Sequence, residues 1–340
     1  MKPDAAMNLA IEQAELIKGT TYPNPPVGAV ILNQDGEIVG IGATQPTNGL
    51  HAEIVALKLA GFKAVKGTMF VTLEPCSHYG RTPPCVDEII NSGLSKVVYA
   101  VPELNLKSKG GAQKLIKAGL IVYSGLLAEK VKRGILREWL YKQYKGTPHL
   151  TWKLAISLDG KTSAKDGSSK WITNELSRID CHMRRYMADV VIIGTNTALT
   201  DDSILTARRP DKSLTVQQPL RVVVGMNSLP VHSKVLNDDA CTMLIKTHNP
   251  YEVMQILKDY TDIFLEGGPT IAEVFLRNNL INRILAYVAP ILLGGKRFAL
   301  KDSGVSSIID AKRWNFDYIE SIGPDIILSI ISGPIDSIYY

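Results

Sequence analysis

Three side chains restrict the folding of this chain more than any others: His51, Cys76 and Cys85. One imidazole and two thiolates make a zinc donor set with a fourth position left for solvent, the arrangement of catalytic rather than structural zinc sites. To meet at one ion, they must be delivered by elements whose ends converge. The local patterns supply such elements. A helix opens at His51, after Gly49–Leu50, and runs to about Ala60, with Gly61 ending it. Met69–Leu73 reads as a buried strand that delivers Glu74–Pro75–Cys76, and Cys85 begins a helix reaching about Ser92. Two helix N-termini thus face one strand end, and a helix N-terminus lowers a thiol's pKa, favouring the ligating thiolate. Glu53, two residues past the histidine, can touch a water on the metal without being a ligand. Taken singly, each of these residues would read as an ordinary buried side chain. The order and spacing, with Pro75 and Glu53 in place, point to the metal. The thiols are separated by Ser77 to Pro84, SHYGRTPP, which reads as a substrate loop joined to the metal site.

Around this nucleus the first half alternates helix and strand. Asp4 is placed to cap a helix running to about Lys18. Tyr22–Pro23–Asn24–Pro25–Pro26 is a rigid turn, and Val27–Leu32 and Ile38–Ile41 form a hairpin through Asn33–Gln34–Asp35–Gly36. Strands at Lys96–Ala100 and Leu120–Tyr123 flank a helix around Ala112–Ala118, and a connecting helix spans about Leu127 to Tyr144. The pattern predicts a three-layer α/β unit over residues 1–146. It breaks at Gly146–Thr147–Pro148, and a second α/β unit fills 147–340.

Composition narrows the class. The chain has 340 residues, enough for about two domains, with 45% hydrophobic and 21% charged residues, the balance of a globular protein. The N-terminal stretch carries charges within its apolar pattern and reads as no signal peptide, and no apolar run reaches the ~18 residues a membrane span requires. Four cysteines argue for a metal site over a disulfide framework, in keeping with a cytoplasmic setting; Cys181 and Cys241 read as inert. A net charge of +5 suits an anionic small molecule, and no Lys/Arg block argues for nucleic acid.

The second half reads as strands at Leu150–Ser157, Val190–Gly194, Arg221–Val224, Thr242–Ile245, Ile263–Leu265, Ile284–Val288 and Ile326–Ile331. Helices fall at Asn174–Met187, Tyr251–Asp259 and Thr270–Asn278. No G-x-G-x-x-G follows a first strand, so a standard dinucleotide domain is not indicated. Instead Glu266–Gly267–Gly268–Pro269–Thr270 joins a strand to a helix, where backbone N–H groups can approach a phosphate; a plain tight turn explains the same glycines. Gly194–Thr195–Asn196–Thr197 is similar. Asp201–Asp202 reads as a loop pair, Arg185 and Arg208 as a possible phosphate clamp or as surface ion pairs, and Trp171 as a stacking platform or a core residue.

Together these residues resemble a known family over about residues 1 to 330: the bifunctional deaminase–reductase of riboflavin biosynthesis. His51–Ala52–Glu53 with Pro75–Cys76 and Cys85 is similar to the zinc-deaminase signature. The fuller run is Pro23–Asn24–Pro25, Val27–Gly28, Thr72 through His78, and Gly80–Arg81–Thr82–Pro83–Pro84–Cys85. In the second half the resemblance is carried by Ser157–Leu158–Asp159–Gly160, Ser169 through Thr173, Thr197 through Asp202, Leu205 through Arg208, and Glu266–Gly267–Gly268. It implies a cytidine-deaminase-like domain followed by a dihydrofolate-reductase-like α/β domain. It implies two reactions on a phosphorylated pyrimidine: loss of the 2-amino group of a diaminopyrimidinone ribosylamino 5′-phosphate, then NADPH reduction of its ribosyl group to ribityl. The implied cofactors are zinc and NADPH, and the implied assembly is a dimer or tetramer without nucleic-acid or membrane partners. By the resemblance Glu53 moves protons, and Asn24, His78 and Arg81 contact the pyrimidine substrate. Ala155, Trp171, Thr197, Asp201 and Gly268 face NADPH. Ser169, Arg185, Leu205, Arg208 and Glu266 face the reductase substrate, with Asp201 the polar catalytic group.

The chain departs from the family pattern at four places. Thr44 stands where many members have a histidine, and can donate a hydrogen bond without carrying charge. Glu103–Leu104–Asn105–Leu106 replaces a D-P-N-P run, Ser203 a proline, and Gly225 an aspartate that often ends the strand Arg221–Val224.

Overall fold

The computed structural model describes residues 1–79, 83–105 and 108–333, and the chain divides into two compact units, Met1–Gly146 and Thr147–Tyr340. The first holds helices α1 (Pro3–Ile17), α2 (Ala52–Ala60), α3 (Cys85–Asn91), α4 (Gly111–Lys117), α5 (Ala128–Arg133) and α6 (Arg137–Lys145). Its strands are β1 (Gly28–Leu32), β2 (Ile38–Ala43), β3 (Thr68–Leu73), β4 (Lys96–Val101) and β5 (Ile121–Ser124), in sheet order β2-β1-β3-β4-β5. β1 runs antiparallel to β2 and β3, whereas β3, β4 and β5 are parallel. β1, GAVIL, is buried along its whole length because it lies inside the sheet with α1 packed against it. α2 crosses β2 at very short range: a Cβ on Gly42 would stand 2.2 Å from the Ala52 carbonyl. That approach seats the first turn of α2, with His51 and Glu53, directly above the sheet.

Three local expectations change here. α1 starts at Pro3, with Lys2 at the N-cap making no side-chain bond, so Asp4 lies inside the first turn and acts on the helix dipole rather than as the cap. The expected helix over 127–144 is two helices, broken at Gly134, with the Arg137 Nε–H donating to the Arg133 carbonyl at 2.9 Å across the break. Cys241, expected in apolar or helical surroundings, is exposed and lies outside any helix.

In the second unit the helices are α7 (Glu175–Met187), α8 (Thr195–Asp201), α9 (Pro250–Ile256) and α10 (Pro269–Arg277). The strands are β6 (His149–Ser157), β7 (Val190–Gly194), β8 (Leu220–Val224), β9 (Thr242–Ile245), β10 (Asp262–Leu265), β11 (Arg283–Ala289), β12 (Trp314–Ile322) and β13 (Asp325–Ser332), in the order β12-β13-β11-β6-β10-β7-β8-β9. The run from β11 to β9 is parallel; β13 and β12 close one edge antiparallel. Strand residues alternate between two cores, as a strand's two-residue period requires. Val190, Ile192, Val222 and Leu265 pack with Val253, Phe275 and Leu276 of α9 and α10. Val191, Ile193, Val223 and Phe264 pack with Cys181 and Ala198 of α7 and α8. β12 escaped the sequence pattern because a bulge between Phe316 and Tyr318 breaks its alternation and most of its residues are exposed or half-exposed. Among the described residues no helix is long and apolar enough to cross a membrane.

Candidate active sites

The three expected metal donors converge. His51 is the N-cap residue of α2, Cys76 follows β3 by three residues, and Cys85 is the first residue of α3. His51 Nδ1 lies 3.2 Å from Cys85 Sγ and 3.6 Å from Cys76 Sγ. The edges of a tetrahedron with zinc–sulfur and zinc–nitrogen bonds of ordinary length are about 3.5 Å, so the donors fit a tetrahedral zinc ion. The Cys85 N–H points at Cys76 Sγ from 3.4 Å. Hydrogen bonding from the Cys85 thiol, then from His51, lowers the Cys76 thiol's pKa against the burial that opposes its ionisation. Two sulfurs and one imidazole leave one tetrahedral corner for a reacting ligand.

Next to this cluster is a cavity of about 350 Å³, a volume suited to a small-molecule substrate. Glu53, 4% exposed, lines it from the first turn of α2. Burial, then the Cys76 thiolate, pushes its carboxyl above the usual range, which suits a group that both takes and returns a proton. Asn24 lines the wall, its backbone N–H and carbonyl both tied to Thr21 at 2.8 and 2.9 Å. His78 lines the wall too, and its Nδ1 is buried without a partner among the described residues. Arg81 and Leu106 lie outside the described residues. Thr44 reaches the cavity, yet its hydroxyl accepts the Val27 N–H at 3.1 Å and braces β1 to β2.

Sequence reasoning missed part of this wall. Trp139 and Gln143 of α6 line it, and nothing in their spacing relates them to a metal site. Glu103 and Asn105 line it as well; burial raises the Glu103 carboxyl to about 7, with Cys76 and Glu74 adding repulsion. Glu74 is a brace: its buried carboxylate accepts the N–H of Glu103 at 3.1 Å and of Ala112 at 2.9 Å. α4 abuts the same turn so closely that a Cβ on Gly111 would stand 1.9 Å from the Pro75 carbonyl. The loop that carries Cys76 is therefore wedged between β4 and α4.

In the second unit a cleft of about 130 Å³ opens at the carboxyl ends of β7, β8, β9 and β10, where open α/β sheets bind ligands. Gly194–Thr197, Gly225, Thr247–Pro250 and Gly268 line it. Gly268 caps α10 and its N–H donates to Thr197 Oγ1 at 3.2 Å, so two of the expected cofactor residues meet. Ala155 is half-buried on β6. Trp171 is 70% exposed at φ 71°, a left-handed backbone that costs a non-glycine residue about 1–2 kcal/mol. Asp201 ends α8 rather than lying in a loop; partial burial raises its carboxyl while Lys170 opposes the rise. Its neighbour Asp202 is structural, accepting the Lys234 N–H at 2.9 Å and pairing with its Nζ at 3.0 Å.

The expected substrate side of this unit separates into two kinds. Ser169 is exposed and Arg208 half-buried, its Nε–H donating to Thr206 Oγ1 at 3.1 Å. Arg185 and Glu266 bind each other: Nε meets Oε1, Nη2 donates to Oε2 at 2.9 Å, and Nη1 donates to the Thr206 carbonyl at 3.1 Å. Burial pushes Glu266 up, but Arg185, then Lys153, outweigh it and hold the carboxyl at about 2; the Cys181 thiol also donates to it at 3.5 Å. The Arg185 fork is thus engaged by Glu266 and by the Thr206 carbonyl. The Leu205 side chain, 3% exposed, packs in the core with Val191 and Phe264, so any substrate contact there falls to its backbone, at φ 59°.

Residues 1–101 match the family model for the zinc-binding region of cytidine and deoxycytidylate deaminases, and residues 148–328 match that of the RibD C-terminal domain. The chain is 56% identical to the riboflavin biosynthesis protein RibD of Mycobacterium tuberculosis, over 97% of each chain. With that of Escherichia coli it shares 34% identity over 98% of this chain and 100% of the relative. Among solved structures, Acinetobacter baumannii RibD aligns with a TM-score of 0.87 at 32% identity, covering 98% of this chain and 99% of that one. A Thermotoga maritima diaminohydroxyphosphoribosylaminopyrimidine deaminase/5-amino-6-(5-phosphoribosylamino)uracil reductase aligns at 0.88 with 28% identity, over 97% and 99%. With its zinc-type donor set in one unit and its strand-end cleft in the other, the chain belongs to the RibD family, the bifunctional deaminase–reductases of riboflavin biosynthesis.

Proposed function

We propose that residues 1–146 deaminate 2,5-diamino-6-ribosylamino-4(3H)-pyrimidinone 5′-phosphate and that residues 147–340 then reduce its ribosyl group to ribityl with NADPH. The observation that carries this reading is the three-donor set of His51, Cys76 and Cys85 bordering a cavity that Glu53 also lines. Bound zinc supplies a Lewis acid that brings a water's pKa to about 7, and bound NADPH supplies a hydride. Glu53 takes a proton from the attacking water and returns it to the departing amine nitrogen. Asn24 hydrogen-bonds the pyrimidine edge, and His78 and Arg81 hold the loop side of the substrate. In the reductase, Ala155, Trp171, Thr197 and Gly268 orient the cofactor. Ser169, Arg185, Leu205, Arg208 and Glu266 form the substrate side, Arg185 acting through the Glu266 carboxylate it holds. Asp201 carries the proton that accompanies hydride transfer. The reading includes a cytoplasmic dimer or tetramer acting on a small molecule, without nucleic-acid or membrane partners.

A coupled assay with the diaminopyrimidinone phosphate, following ammonia and NADPH in one tube, tests it. Glu53→Gln is expected to keep one zinc per chain and lose ammonia release by about 10²–10⁴-fold. Asp201→Asn is expected to impair NADPH oxidation and leave ammonia release intact. Ammonia release from cytidine in place of the phosphate substrate, or loss of both activities in either variant, would overturn the two-site reading.

A further inference from the structure

We infer that Arg178 is a positioning residue that holds the Trp171 indole as a stacking surface for a planar heterocycle of the reductase cofactor; this rests on the reading of Trp171 as cofactor-facing. Trp171 combines left-handed backbone, φ 71°, with an exposed ring. Left to itself a side chain of this size would relax to an ordinary backbone and turn its apolar surface inward. One arginine opposes both movements. The Arg178 guanidinium carbon lies 4.3 Å from the centre of the indole ring, and its Nη1 donates to the Thr173 carbonyl at 2.8 Å. The same side chain thus covers one ring face and ties down the loop two residues further on.

Arg178 is itself anchored. It sits in the first turns of α7, whose start is fixed by Asn174. The Asn174 carboxamide oxygen accepts the N–H groups of Leu176 and Ser177 at 2.7 and 3.2 Å. The Asn174 N–H donates to Asp325 Oδ2 at 2.8 Å, and the Ser177 hydroxyl reaches the same oxygen at 2.6 Å. Asp325 opens β13, so the chain of contacts runs from the sheet through Asn174 and α7 to Arg178 and then to the indole. With one face against a guanidinium, the indole keeps its other face for a flat ring. Nicotinamide and adenine share that chemistry, and they are separated by the fragments used as probes.

The test compares Arg178→Met, which keeps length but removes charge and donor, with Arg178→Lys and Trp171→Phe, all in the full chain with zinc. Arg178→Met is expected to raise KM and Kd for NADPH by about threefold to tenfold, leaving kcat at saturating NADPH and KM for the pyrimidine where they were. It should also change acrylamide quenching of the exposed tryptophan and leave ammonia release alone. Arg178→Lys should recover part of the NADPH affinity. The same loss measured with reduced nicotinamide mononucleotide identifies nicotinamide as the stacked ring; with 2′-phospho-ADP-ribose it identifies adenine. If Trp171→Phe weakens NADPH binding while Arg178→Met binds like the parent, or if Arg178→Met raises both KM values together, the positioning role is wrong. If Trp171→Phe itself binds NADPH like the parent, the underlying assignment of Trp171 fails instead.

Discussion

Replacing Glu266 by glutamine tests the buried pair it forms with Arg185. The carboxylate is 6% exposed, held from two sides by the guanidinium, and lies 4.0 Å from Lys153 Nζ. Its pKa drops from the usual 4.5 to about 2, Arg185 outweighing the upward push of burial. That displacement corresponds to about 3 kcal/mol of folding stability at neutral pH. Removing one partner of a buried ion pair costs about 3–5 kcal/mol in general, the same order of magnitude. Because the folded value is the depressed one, the contribution is complete above the unfolded pKa. It fades as pH falls through the folded one. Chemical unfolding of parent and Glu266→Gln, followed by circular dichroism, should give a gap of about 3 kcal/mol near pH 7 that shrinks to about half near pH 3. A gap that stays constant with pH, or is absent near pH 7, would refute the assignment of Arg185 as the dominant neighbour.

Two further outcomes concern the metal loop. Gly111→Ala drives a methyl against the Pro75 carbonyl from 1.9 Å, so it should displace the loop carrying Cys76. Zinc affinity read by chelator competition should fall by about 10–100-fold, and unchanged affinity would refute the wedge. Glu74→Ala leaves the Glu103 and Ala112 N–H groups without their acceptor. It should lower stability by about 2–5 kcal/mol and open both amides to hydrogen exchange, and continued protection of both would refute the brace.

The metal centre was legible because its chemistry is written in short stretches: a histidine at a helix start, a cysteine after a strand, a cysteine opening the next helix. The spans of most strands were legible for a related reason, since their apolar runs carry their own length. What escaped depends on partners distant along the chain. Glu74 looks like part of a motif, and only the fold shows that its carboxylate serves the backbone of residues 103 and 112. Nothing in the spacing of Arg185 and Glu266 shows that the fold joins them across 81 positions. Leu205 sits among polar motif residues, yet its side chain belongs to the core beneath them. β12 was invisible because its bulge erases the period on which strand reading depends.

Gly225 leaves no room for a side chain beside Thr195. Its φ is 142°, and a Cβ there would lie 2.3 Å from Thr195 Oγ1 and 3.2 Å from Thr195 Cβ. A side chain at 225 would therefore meet the Thr195 hydroxyl from a backbone conformation that L residues rarely adopt. Thr195 occupies the volume that a side chain at 225 would need, so the two positions are coupled through space.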